Sequence, residues 1–147
     1  MDRAALKDED LPEEVLKAEQ AIAAMTDTFL DWMNESLDQM ATHLERAKAA
    51  PGENAHEIRR LFTLAHDMKG QGGAFGYDLV TALGALLCDF IRESSQGANS
   101  DQIQVVEAHV QAITFVVSRA VTGDGGPLGA QLLEKLQEVA ARVQKPA

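Results

Sequence analysis

A chain of 147 residues is long enough to bury a sizeable core within one domain. Its net charge of −10 works against nucleic acids and anionic membranes, both of which gather Lys and Arg, and its single cysteine, Cys88, excludes an internal disulfide and fits a reducing compartment. Apolar residues make up 46% but aromatics only 5%, a balance that favours packed helices over a sheet. The N-terminus shows no apolar leader, and no stretch approaches the ~20 apolar residues of a membrane span. A soluble, cytoplasmic protein is expected.

The first ten residues are charged. Asp10 is a plausible cap for a short helix running to about Met25, with Pro12, Glu13 and Glu14 suited to its first turn. Its apolar positions, Val15, Leu16 and Ile22, are few, so it reads as an accessory. Thr26 or Asp27 can cap a longer helix over residues 28–49, where Phe29, Met33, Leu37, Met40 and Leu44 step along one face until Pro51-Gly52 stops it. Trp32 lies beside that stripe, placed to pack against the N-terminal helix.

A third helix is predicted over residues 54–72, with Leu61, Leu64, Ala65, Met68 and Gly72 on one stripe. At ~100° per residue, His66 falls roughly 140° from the stripe centre and should face solvent. Gly70 stands above it at i+4, and Phe62, Lys69 and Gly73 border the same patch. Gly70 and Gly72 cost a helix ~1 kcal/mol each relative to alanine. That cost fits room left for an approaching body.

A fourth helix runs from Tyr77-Asp78 to about Glu93, its stripe formed by Leu79, Leu83, Leu86, Leu87 and Phe90. Gly84, Cys88 and Arg92 recur on the opposite side. After a turn-forming linker from Ser94 to Asn99, Ser100 is expected to cap a fifth helix to about Val121, with Ile103, Val106, Val110, Ile113 and Val117 inward. Gly123 to Pro127 breaks the chain before a last helix, about 128–143. The expectation is an all-α fold in one domain, residues 1–147. An antiparallel up-down four-helix bundle (26–122) would carry an accessory N-terminal helix (1–25) and an accessory C-terminal helix (127–144).

His66-Asp67-Met68-Lys69-Gly70, followed by Gly76 and Leu79, resembles the histidine phosphotransfer (HPt) domain of bacterial phosphorelays. The resemblance implies that His66 is phosphorylated on the ring nitrogen far from the backbone. It also implies exchange of the phosphoryl group with aspartates on response-regulator receiver domains, or with a hybrid histidine kinase. The chain would be a phosphocarrier and not a complete enzyme, with no kinase domain, no cofactor or metal of its own, and Mg²⁺ brought by the receiver. An exposed imidazole, of pKa about 6.5 in water, is largely neutral near pH 7, the form that attacks phosphorus. Lys69 is placed to attract the phosphoryl oxygens. Arg59, Phe62, Gly70, Gly73, Gly84, Cys88 and Arg92 make up the expected receiver-contacting surface of a monomer. Arg59 and Lys69 leave this face roughly neutral on an acidic molecule, a counterpart to the acidic pocket of receivers.

The family often places a glutamine near the phosphohistidine where this chain has Cys88, a poor hydrogen-bond donor. Arg92 or Gln71 would then have to orient the ring, and an inert, half-buried Cys88 is the simpler reading. Asp67 resembles the acid after the histidine of sensor kinases, but it faces elsewhere on the wheel. His43, His56 and His109 lie on different helices, mostly with no partner at i+3 or i+4, whereas di-metal bundles need Glu-x-x-His pairs pointing inward. A rival reading keeps the same face without the chemistry: a helical adaptor that binds or sequesters a receiver.

Overall fold

The computed structural model describes residues 12–92 and 96–147, and among these every element is a helix. They are α1 (Glu13–Ala49), α2 (Ala55–Gly72), α3 (Asp78–Ile91), α4 (Ser100–Ser118) and α5 (Gly126–Ala141), with a single 3-10 turn, Gly73–Phe75, after α2. Asp10 and Glu93, expected at helix ends, and Ser94 and Ser95 lie outside the described residues.

Helices α1 to α4 close a ring in which each packs on its chain neighbours and α1 returns to α4. His43, late in α1, meets Glu57 at the start of α2, while Phe29, earlier in α1, meets Phe75 in the turn that follows α2. Phe62 meets Cys88 and Lys69 meets Thr81 across α2 and α3 in the same fashion. Both pairs of helices are therefore antiparallel. Met33, Met40, Leu61, Met68, Leu83, Leu87 and Ile113 fill the interior between the four. α5 lies against α3 and α4 and adds Leu136 to the core.

The two helices expected to meet near Thr26 are one helix of 37 residues. Thr26 and Asp27 do not cap: the hydroxyls of Thr26 and Thr28 donate back to the carbonyls of Ile22 and Ala24, each at 3.0 Å. No glycine or proline interrupts residues 13–49, so nothing forces a break. No side chain from Glu13 to Thr28 is buried, and burial begins at Phe29, stacked on Phe75 with centroids 4.3 Å apart. Among the described residues, the first four turns of α1 thus overhang the bundle. Trp32 has no separate helix to pack on; it is half-buried beside Phe29 of its own helix.

Side chains fix two of the helix junctions. Asn54 is buried: its amide donates to the carbonyls of Ala47 and Ala98, and its Oδ1 accepts the Ala98 N–H at 2.7 Å. One residue ties the end of α1, the start of α2 and the approach to α4. Asn99, not Ser100, caps α4, because Gln102 completes a reciprocal pair with it: the Gln102 N–H donates to the Asn99 side chain and the Asn99 N–H to the Gln102 side chain. α4 ends at Ser118, three residues short of the expected Val121, where Ala120 takes a positive φ of 50°.

Candidate functional site

Helix α2 turns Ile58, Leu61, Leu64, Ala65, Met68 and Gly72 into the core, and His66 on its far side is exposed. One turn on, nothing comes within 4 Å of a Cβ built on Gly70. The imidazole therefore stands open, with bare backbone above it. One turn back, the half-buried Phe62 ring lies with its centroid 6.0 Å from that of His66 and its plane tilted by 27°. Lys69, three residues along and half-buried, keeps its stem over Gly84: a Cβ on Gly84 would lie 3.3 Å from the Lys69 Cβ. Its ammonium is the cation nearest in sequence to His66.

The surface expected to receive a partner is divided by the structure. Arg59, Phe62 and Arg92, with Thr63 and Ile91, line one shallow depression of about 270 Å³ beside the Phe62–His66 stack. Arg92 is exposed and its guanidinium pairs with Asp89 at 3.0 Å. Gly70 and Gly73 are exposed on the far side of His66. Gly84 and Cys88, however, are buried and cannot touch a partner. They form the contact between α3 and α2, where a Cβ on Gly84 would come within 3.0 Å of the Ala65 carbonyl oxygen. The side of α3 that reads as its outer face is covered by α2, while α4 and α5 cover its apolar stripe.

Cys88 is only 1% exposed, deeper than the half-burial expected, and its thiol approaches the Phe62 carbonyl at 3.9 Å. Burial pushes its pKa up, against the opposing pull of Lys69 and Arg92, so it remains a neutral thiol. Arg92 is engaged with Asp89, and Gln71 lines a groove on the α1 side; neither hydrogen-bonds the imidazole.

That groove was not apparent from the sequence. It encloses about 680 Å³ between the overhang of α1 and the outer face of α2, with Met25, Thr28, Trp32, Asp67 and Gln71 along its walls and Phe29 and Phe75 at its base. Met25 is 59% exposed and Ile22, further out, 63%. Ala18, Ile22, Met25, Phe29 and Trp32 alternate spacings of four and three, a second stripe beside the core stripe, and this was the signal available. Asp67, directed to this wall, flanks His66 on the side opposite Lys69.

Two of the remaining histidines, His43 and His109, are occupied elsewhere, and His56 is exposed at the start of α2. His43 Nδ1 lies 2.5 Å from Glu57 Oε2 across α1 and α2, and this hydrogen bond holds the Glu57 carboxyl below the usual range. His109 is buried, bonds the Val105 carbonyl through Nδ1 at 2.7 Å and stacks on Phe90. Burial pulls its pKa down, partly offset by the bond to Val105. Among the described residues no group of three or more His, Cys, Asp or Glu is placed to hold a metal ion, and no helix is long and apolar enough to cross a membrane.

Compared with known protein families, residues 24–114 match the model of the Hpt domain, a span that contains α2, α3, most of α4 and the bundle part of α1. No curated protein and no solved structure matches the chain.

Proposed function

The chain belongs to the Hpt domain family, whose members serve histidine phosphotransfer in phosphorelays, and from that premise we propose that His66 relays a phosphoryl group between receiver-domain aspartates. The observation that carries the reading is the open imidazole on the middle of α2, with Gly70 leaving space above it and Lys69 three residues along the same helix. In the forward step the far ring nitrogen of neutral His66 attacks phosphorus. The N–P bond forms as the P–O bond to the donor aspartate breaks, and that aspartate leaves as carboxylate. The second receiver's aspartate reverses the step. Lys69 offsets charge on the phosphoryl oxygens. The donor carboxylate, and the Mg²⁺ that receivers use, come with the partner, so this chain supplies nucleophile, cation and shape.

Docking falls on the face around His66. Arg59 and Arg92 border the depression beside Phe62, suited to acidic groups of the receiver, while exposed Gly70 and Gly73 admit its backbone. The cytoplasm, where receivers operate, is the matching location.

The test is incubation with a receiver carrying labelled aspartyl phosphate. Label passing to the wild type but not to His66→Gln is the expected result. The adaptor reading predicts binding by both proteins and label on neither.

A further inference from the structure

The last turn of α2 is built to be weak and is held from outside. Gly70 and Gly72 lie in it and Gly73 follows, each roughly 1 kcal/mol worse than alanine in a helix. The carbonyl of Lys69 is also one of the last four in the helix, which have no partner within it. Such a turn frays unless something outside the helix binds it.

Thr81 of α3 supplies that bond. Its Oγ1 donates to the Lys69 carbonyl at 3.0 Å and accepts the Gly73 N–H at 2.9 Å, closing both ends of the turn with one hydroxyl. Two glycines let the helices come this close. A Cβ on Gly72 would lie 2.7 Å from Thr81 Oγ1 and 2.9 Å from the Tyr77 carbonyl oxygen. A Cβ on Gly84 would lie 3.3 Å from both the Cβ and the backbone nitrogen of Lys69. Lys69, three residues along the helix from His66, is therefore fixed at its carbonyl by Thr81 and from below by the backbone of Gly84.

The geometry points to Thr81 as a positioning residue for phosphoryl transfer: it holds the Lys69 backbone so that the ammonium stays beside the phosphoryl group on His66. This rests on the reading of His66 as the phosphorylated residue. A misplacement of about 1 Å in such a group slows a reaction about a hundredfold, so loss of one anchor is expected to register in rate before affinity.

The test is a double-mutant cycle on label transfer from a phosphorylated receiver, with Thr81→Val and Thr81→Ser made in the wild type and in Lys69→Ala. Thr81→Val is expected to slow transfer about tenfold in the wild type but less than about twofold once Lys69 is gone, since residues acting as one unit are not additive. Thr81→Ser should restore the rate, and receiver affinity should stay within about twofold throughout. Equal slowing in both backgrounds would reduce Thr81 to a packing residue and overturn the inference. Hydrogen exchange of the Gly73 amide tests the anchor without any receiver: it should quicken at least about tenfold in Thr81→Val, or in Thr81→Ala if the valine variant does not fold, and not in Thr81→Ser. Unchanged exchange overturns the inference as well. Label retained on His66→Gln would instead overturn the choice of His66, and with it the role assigned to Thr81, even with the Gly73 amide anchored as described.

Discussion

The Phe62 ring covers the approach to His66 from the N-terminal side of α2, its centroid 6.0 Å from that of the imidazole. It is half-buried, over the backbone that receives the Cys88 thiol. An apolar ring beside His66, walled by Arg59 and Arg92, is a natural anchor for the proposed docking surface. Phe62→Ala should weaken receiver binding about tenfold, measured by calorimetry. Phe115→Ala, on the exposed face of α4, should leave binding unchanged. Equal affinity in the two variants would remove Phe62 from the interface.

The glycines of the His66 segment separate by what surrounds them. Gly72→Ala should destabilise the fold by about 1–3 kcal/mol, because the added methyl meets Thr81 and the Tyr77 carbonyl. Gly70→Ala should stabilise it by up to about 1 kcal/mol, because that side is empty. Urea unfolding of the two variants reads both signs. Gly70→Lys, which fills the same space with a long side chain, should keep helicity while slowing transfer at least about tenfold.

Lys69→Ala should slow transfer at least about tenfold, through lost charge stabilisation of the phosphoryl group. Its cost in melting temperature should be about 2 °C or less, since the ammonium makes no ion pair among the described residues. Similar losses in rate and stability would mean that Lys69 serves the fold and not the transfer.

Buried His109 gives a pH dependence of defined sign. Its folded pKa lies below the ordinary value, so the unfolded chain binds the proton more readily. Its contribution is complete above about pH 6.5 and declines as pH falls, by up to about 1.4 kcal/mol per pH unit until the folded pKa is reached. Stability measured between pH 7.5 and about 5 should fall in the wild type and fall less in His109→Phe. A parallel decline in both proteins would place the loss elsewhere, although that of Glu57, also depressed, is expected only near and below its usual pKa of 4.5.

Periodicity located His66 because α2 has one buried stripe and an otherwise wet circumference, the case in which a wheel is unambiguous. It misplaced Gly84 and Cys88 because α3 is packed on by α2, α4 and α5, and a helix buried on several sides keeps only a narrow exposed strip, at Asp78 and Asp89, which a wheel built on one apolar stripe does not find. The break expected at Thr26 rested on residues that cap helices well but also bond back within them, and only the length of the helix distinguishes the two. The groove beside Asp67 required knowing that α1 runs on past the bundle. Thr81 carried no signal in a linear reading, since its partners, Lys69 and Gly73, become neighbours only when α3 folds back on α2.

The overhang of α1 has a mechanical consequence. Sixteen residues of unbroken helix, from Glu13 to Thr28, make a rod of about 24 Å. Swinging that rod through about 5° about its exit from the bundle would carry the tip about 2 Å. The fulcrum is Phe29 on Phe75, the last residue of the turn that continues the His66 helix. A displacement at the N-terminal end of this rod therefore arrives at the turn that closes the His66 helix.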